Sequence, residues 1–84
     1  MDIVFPGFGV VTLDGYSYRA LVDGQTVACH FTSEVLQDVN PNHRFDDMES
    51  QFMNSCDVLL AIAERKIRAG KVKEGVVRIF SMDL

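Results

Sequence analysis

Cys29 and His30 are adjacent, and a thiol beside an imidazole could supply a nucleophile and its base. Whether the two can cooperate depends on the backbone beneath them. In an extended strand neighbouring side chains leave on opposite faces, so a strand through both residues would part them. Cys29 then reads as a small core residue. His43, Asp46, Asp47 and Glu49 offer a second set of ligand atoms. Their spacing fits neither an EF-hand loop nor a two-histidine helix motif. Acids at a helix N-terminus are expected without any ion, so no metal and no cofactor are expected.

Six of the eight basic residues lie between Arg65 and Arg78, which makes Arg65, Arg68, Lys71 and Lys73 the candidate nucleic-acid contacts. Cations also stabilise a helix C-terminus, which accounts for Arg65, Lys66 and Arg68. The formal net charge of −4 argues against a general nucleic-acid or acidic-membrane binder. Gly7-Phe8-Gly9 lacks the third glycine and the following helix of a phosphate loop. No serine, histidine and acid fall into a hydrolase pattern, so no enzyme is expected.

The elements that must position these residues begin with a hairpin. Tyr16 to Val22 and Gln25 to Phe31 flank Asp23-Gly24, a pair suited to a two-residue type I′ turn. That loop sets Val22 against Gln25, Ala20 against Val27, Tyr18 against Cys29 and Tyr16 against Phe31. The last three pairs form one apolar face. The other face pairs Leu21 with Thr26, Arg19 with Ala28 and Ser17 with His30. Ser17, Arg19 and His30 could line a ligand site there, or equally a solvated sheet face. Asp2 to Phe5, Val10 to Leu13 and Val76 to Met82 read as further strand segments.

A short helix follows, capped by Thr32 or Ser33 and ended by Asn40-Pro41. A long helix is expected from about Asp46 to Ala69, with Asp46 as N-cap, Glu49 completing a capping box and Gly70 closing the C-terminus. Met48, Phe52, Cys56, Leu59, Ala63 and Ile67 fall in one stripe, widened by Met53 and Leu60 on one side and by Val58 and Ile62 on the other. The apolar arc reaches roughly 220°, against the ~100° that suffices to face a core.

With 84 residues the chain is a single domain, 1–84, of expected class α+β. The expected architecture is an antiparallel sheet of three to four strands, made of the hairpin plus N- and C-terminal strands, packed on one short and one long helix. No basic stretch precedes an apolar run and none is long enough to span a bilayer, so a cytoplasmic address without membrane attachment is the expectation.

Four stretches also carry a family likeness: Ile3-Val4-Phe5-Pro6; Ala20-Leu21-Val22-Asp23-Gly24 with Val27-Ala28-Cys29; Thr32-Ser33-Glu34-Val35-Leu36; and Phe52 through Leu59 to Ala63-Glu64 and Ile67. In their order and spacing the chain resembles a small proteobacterial family, domain of unknown function 1488. The resemblance implies an α+β fold with an antiparallel sheet and a long helix, and no catalytic residues. The chain departs from that pattern at Cys56 and Asp57, where relatives carry an arginine and an aromatic, and it lacks an early Trp-Asp.

The leading expectation is a non-enzymatic interaction domain, a homodimer or the receiver of an unidentified protein partner, with Val58 and Ile62 as the uncovered flank of the long helix. The alternatives are a nucleic-acid-associated regulator using Arg65 to Arg78, and a small-ligand-binding protein or enzyme with a site on the outer hairpin face.

Overall fold

Asp23 and Gly24 both take positive φ, +50° and +83°, the conformation a type I′ turn demands. This turn sets the register of the central hairpin in a computed structural model that describes all 84 residues. Strands β3 (Gly15–Val22) and β4 (Gln25–Thr32) pair antiparallel, with Tyr16 opposite Phe31, Tyr18 opposite Cys29, Ala20 opposite Val27 and Val22 opposite Gln25. Each pair is the one the turn dictates. Tyr16, Ala20, Val27, Cys29 and Phe31 are buried on one face.

Five strands form the sheet rather than three or four. Along its outer side β3 pairs with two short strands in succession, β1 (Ile3–Val4) and β2 (Gly9–Thr12). Pro6 and a positive φ of +96° at Gly7 kink the chain between them, so what could be one edge strand is two. On the far side β5 (Val76–Ile79) pairs with β4 in parallel, placing Ala28 beside Val76 and Phe31 beside Ile79. The sheet is therefore mixed, not wholly antiparallel. Its parallel pair is made possible by the connection, since parallel neighbours need a crossover of about a dozen residues or more and the helices between β4 and β5 supply it.

The helices are three. Helix α1 (Ser33–Val39) is capped by Thr32, whose Oγ1 accepts from the Val35 N–H at 3.2 Å. The long helix expected over Asp46 to Ala69 is interrupted. Helix α2 (Met48–Asn54) stops at Ser55, whose φ of −128° is not helical and whose N–H bonds back to the Phe52 carbonyl. Helix α3 (Cys56–Arg68) then restarts. Asn54 and Ser55 mark the joint, residue types that offer the backbone other partners and disfavour a helix interior. The N-cap of α2 is Asp47, not Asp46; its Oδ1 accepts from the Ser50 N–H at 2.8 Å. Asp46 instead pairs with His43 Nδ1 at 2.9 Å. At the other end, Gly70 N–H bonds to the Ile67 carbonyl and Lys71 N–H to that of Lys66, the two bonds of a Schellman closure.

All three helices lie on the sheet face that carries Tyr16, Ala20 and Phe31. The ring of Phe52 is fully buried there, with centroids 4.8 Å from Tyr16, 4.8 Å from Tyr18 and 5.2 Å from Phe31. Leu59, Ile62, Ala63 and Ile67 bury α3 beside it. At ~100° per residue these four span about 140°, an ordinary core-facing stripe. Counted with Cys56, Val58 and Leu60, the apolar residues of α3 alone still span about 200°, so the break at Ser55 removes only Met53 from the arc of roughly 220°.

Because Phe52 joins α2 to three rings of the hairpin, Phe52→Ala should cost about 3–5 kcal/mol of unfolding free energy, and Phe52→Leu distinctly less. Urea unfolding monitored by circular dichroism measures both; a loss under 1 kcal/mol (roughly the median single-mutant effect) in Phe52→Ala would refute this role.

Candidate interaction surface

The C-terminal segment builds the surface that holds the expected contact residues. After β5 the chain turns through a 3-10 turn, Ser81–Asp83, held by one carboxylate. Asp83 Oδ2 accepts from the Phe80 N–H and from Lys66 Nζ, each at 2.8 Å. Burial pushes the Asp83 carboxyl pKa up, but the Lys66 and Phe80 hydrogen bonds and the charges of Lys66 and Arg65 outweigh it and hold it below the usual carboxylate value. Arg65 Nη2 donates to the Asp83 carbonyl at 3.2 Å, and Ser81 Oγ donates to Asp38 Oδ2 at 2.6 Å. The turn is thus tied to α3 on one side and to the end of α1 on the other.

Between these three elements lies an open groove of about 640 Å³. Its apolar lining comes from Val39, Val58, Ala61, Ile62 and Leu84, and its charged rim from Asp38, Asp57, Arg65 and Asp83. Val58 and Ile62 therefore do share a surface, but not the bare flank expected. Ile62 is only 5% exposed and belongs to the core, whereas Val58, one turn earlier, is 53% exposed. The short helix and the C-terminal turn close over most of the flank. Asp38, Val39 and Leu84 escape sequence reasoning because they reach the groove from elements far away in the chain.

The four candidate nucleic-acid contacts are dispersed. Arg65 stands on the groove rim. Arg68 pairs with Glu64 at 3.3 Å and donates to the Met1 carbonyl at 3.2 Å. Lys71 and Lys73, with Arg78, line a separate concavity of about 540 Å³ beside Phe80 and Met82, and these three cations form no ion pair. Lys66, in the same cluster, is spent on Asp83 and the Arg78 carbonyl.

The outer sheet face gathers only two of the three residues that could have made a ligand site: Ser17 and Arg19 line a concavity of about 290 Å³ with Phe8 and Thr26, and His30 does not join them. Ser17 and His30 are opposite one another as the register requires, but His30 is only 8% exposed. Its Nε2 is buried without a hydrogen bond; the nearest acid, Asp14 Oδ1 at 3.4 Å, stands at an ion-pair distance outside hydrogen-bond geometry. Arg19 is stacked on Phe8, 5.1 Å from the ring centroid. Nor do His43, Asp46, Asp47 and Glu49 converge: His43 holds Asp46, Asp47 holds the helix cap, and no three such side chains meet as a metal ion would need. No helix is long and apolar enough to cross a membrane.

Set against family models, curated proteins and solved structures, the chain matches none.

Cys29 and His30 point to opposite faces of β4, and burial pushes the Cys29 thiol up to about 12. Such a thiol is not a nucleophile near neutrality. Cys56 is only half-buried. A maleimide in mildly alkaline buffer should therefore label Cys56 alone in the native protein and both thiols after unfolding, as read by intact mass. Rapid native labelling of Cys29 would contradict its burial.

Proposed function

We propose that this chain is a small non-enzymatic interaction domain that acts through a protein partner, with the groove between α1, α3 and the C-terminal turn as the docking site. The half-exposed Val58, on an apolar floor with a charged rim, carries the reading. An apolar patch framed by polar groups is the usual form of a protein-binding site. Floor residues that need no further cover fold the domain, as Ile62 does, and those left open, as Val58 is, await a partner. The resemblance to a family without assigned catalytic residues, and a cytoplasmic address, fit the same reading.

Placing a charge on the open part of the floor tests it. Val58→Asp should leave the fold intact, within about 0.5 kcal/mol of the parent, because the side chain is at the surface. Used as bait in lysate of the native host, the parent protein should retain a partner that Val58→Asp loses. Identical sets of captured proteins, quantified by mass spectrometry, would overturn the groove as the docking site.

A second reading rests on Lys71, Lys73 and Arg78, the unpaired cations around the Phe80 concavity. Nucleic acid bound there would release counterions, and its affinity would fall steeply with salt. The leading reading expects no retardation of a single-stranded oligonucleotide in a low-salt gel shift. Retardation lost in the double variant Lys71→Glu, Lys73→Glu would move the function to this concavity.

A further inference from the structure

The two edges of the sheet are finished differently. At β5 the outward backbone groups are those of Val76 and Arg78, because Ala28 N–H bonds to the Gly75 carbonyl and bonding alternates along a parallel ladder. Nearly all are occupied from within the molecule. Val76 exchanges both its bonds with Lys73, at 2.8 and 3.0 Å, and the Arg78 carbonyl accepts from Lys66 Nζ at 2.6 Å. Beyond the strand, the Phe80 N–H is taken by Asp83. A neighbouring strand has almost nothing to pair with.

At β2 the opposite holds. Arg19 N–H bonds to the Phe8 carbonyl, so the inward-facing residues of this antiparallel ladder are Phe8, Val10 and Thr12. The N–H and C=O groups of Gly9 and Val11 then point away from β3, and β2 pairs with no other strand. Of the devices that protect edges, only the shortness of β2 and the Pro6 kink before it are present. No charged residue occurs from Ile3 to Leu13, and β2 contains no proline. Val10 and Val11 are 61% and 52% exposed, and Phe8 and Leu13 beside them are exposed too. Free backbone groups alternating at strand spacing call for one kind of occupant, another strand.

We propose that this occupant is β2 of a second copy, paired antiparallel about a twofold axis at Val10, which joins two five-stranded sheets into one of ten strands. The sequence of β2 is complementary to itself in this register. Gly9 of each copy meets Val11 of the other, and both are outward-facing residues, so the two crossings form narrow hydrogen-bonded pairs with four backbone bonds in all. Val10 meets Val10 at the axis in the non-hydrogen-bonded position, where side chains approach closest. Thr12 of each copy lies opposite Phe8 of the other. On the helical face Gly9 has no side chain, and Tyr16 fills the space beneath it: a Cβ at Gly9 would lie 2.6 Å from the Tyr16 ring carbon Cζ. Val11 of the second copy is received on that ring. No like charges are brought together along the axis, so the net charge of −4 on each copy opposes association only at a distance. An edge of four residues makes a small interface, and the affinity belongs in the micromolar range, ~−8 kcal/mol.

This surface is separate from the groove, and the proposal stands or falls apart from the docking reading. Sedimentation velocity and light scattering across the micromolar range should show the mass rise from that of one chain toward that of two. Val11→Lys, which adds a charge at an open edge position, should weaken the dimer at least tenfold with an unchanged circular dichroism spectrum, while Val58→Asp leaves the dimer intact. Hydrogen exchange at the Gly9 and Val11 amides should slow with rising concentration in the parent and not in Val11→Lys. A mass that stays monomeric throughout the range overturns the proposal. So does a dimer that survives Val11→Lys or is lost in Val58→Asp, the latter assigning self-association to the groove. Capture of a partner through the groove is read separately, since Val11→Lys leaves that surface untouched.

Discussion

The helical layer is referred to the sheet through Phe52. Its ring meets Tyr16, Tyr18 and Phe31, three side chains that share a face only because the Asp23-Gly24 turn holds β3 and β4 in one register. A slip of one residue would turn one strand over relative to the other and mix the two faces, so Phe52 could not meet both the tyrosines of β3 and Phe31 of β4. The short α2 therefore needs no great helical stability of its own: it is pinned at its centre, capped by Asp47, and hands the chain to α3 at Ser55. The remaining core, Leu59, Ile62, Ala63 and Ile67 against Val77 and Ile79, closes the layer once that anchor is set.

What was legible in the sequence was local and periodic. The hairpin and its register follow from two residues of turn chemistry and a period of two. Thr32 as a cap and Gly70 as a helix terminator follow from side-chain type and position. The Ser55 break was hidden because Asn and Ser disfavour a helix interior only weakly and the periodicity on either side continues nearly in phase. The N-cap moved by one residue because Asp46 and Asp47 are equally fit for it, and His43 took the first. The direction of β5 depends on how forty intervening residues, roughly, cross the sheet, which no window of periodicity contains. The second positive-φ turn, at Glu74 and Gly75, pairs Lys73 with Val76 and leaves no hairpin signal in the sequence, because nothing strand-like precedes it.

The candidate site was legible only in part, for the same reason. Val58 and Ile62 were found by helical spacing, and they do lie together. Their unequal burial is decided by Asp38, Val39, Asp83 and Leu84, which helical spacing cannot see. His30 shows the converse. Sequence placed it correctly on the outer face, but that face is not uniformly solvated, because the turn carrying Asp14 folds against the end of β4 and the Ser33 N–H bonds to the Asp14 carbonyl.

The over-wide apolar arc persists on α3, and the fold meets it from two sides: the core takes Leu59, Ala63 and Ile67, while α1 and the C-terminal turn pack toward Ile62 and leave Val58 half-exposed. The exposed apolar side chains that remain do not gather on the long helix. Two of the places where they lie are the groove, with Val58 and Leu84, and one sheet edge, with Phe8, Val10, Val11 and Leu13; others, such as Phe45, Met53 and Met82, are scattered. A groove accommodates side chains and an open edge accommodates a backbone, so the two surfaces differ in the chemistry of what they can receive. The protein also protects its other edge with the backbone of Lys73 and the side chains of Lys66 and Asp83. A chain that blocks association at one edge and leaves the other uncharged and unpaired restricts strand addition to a single place.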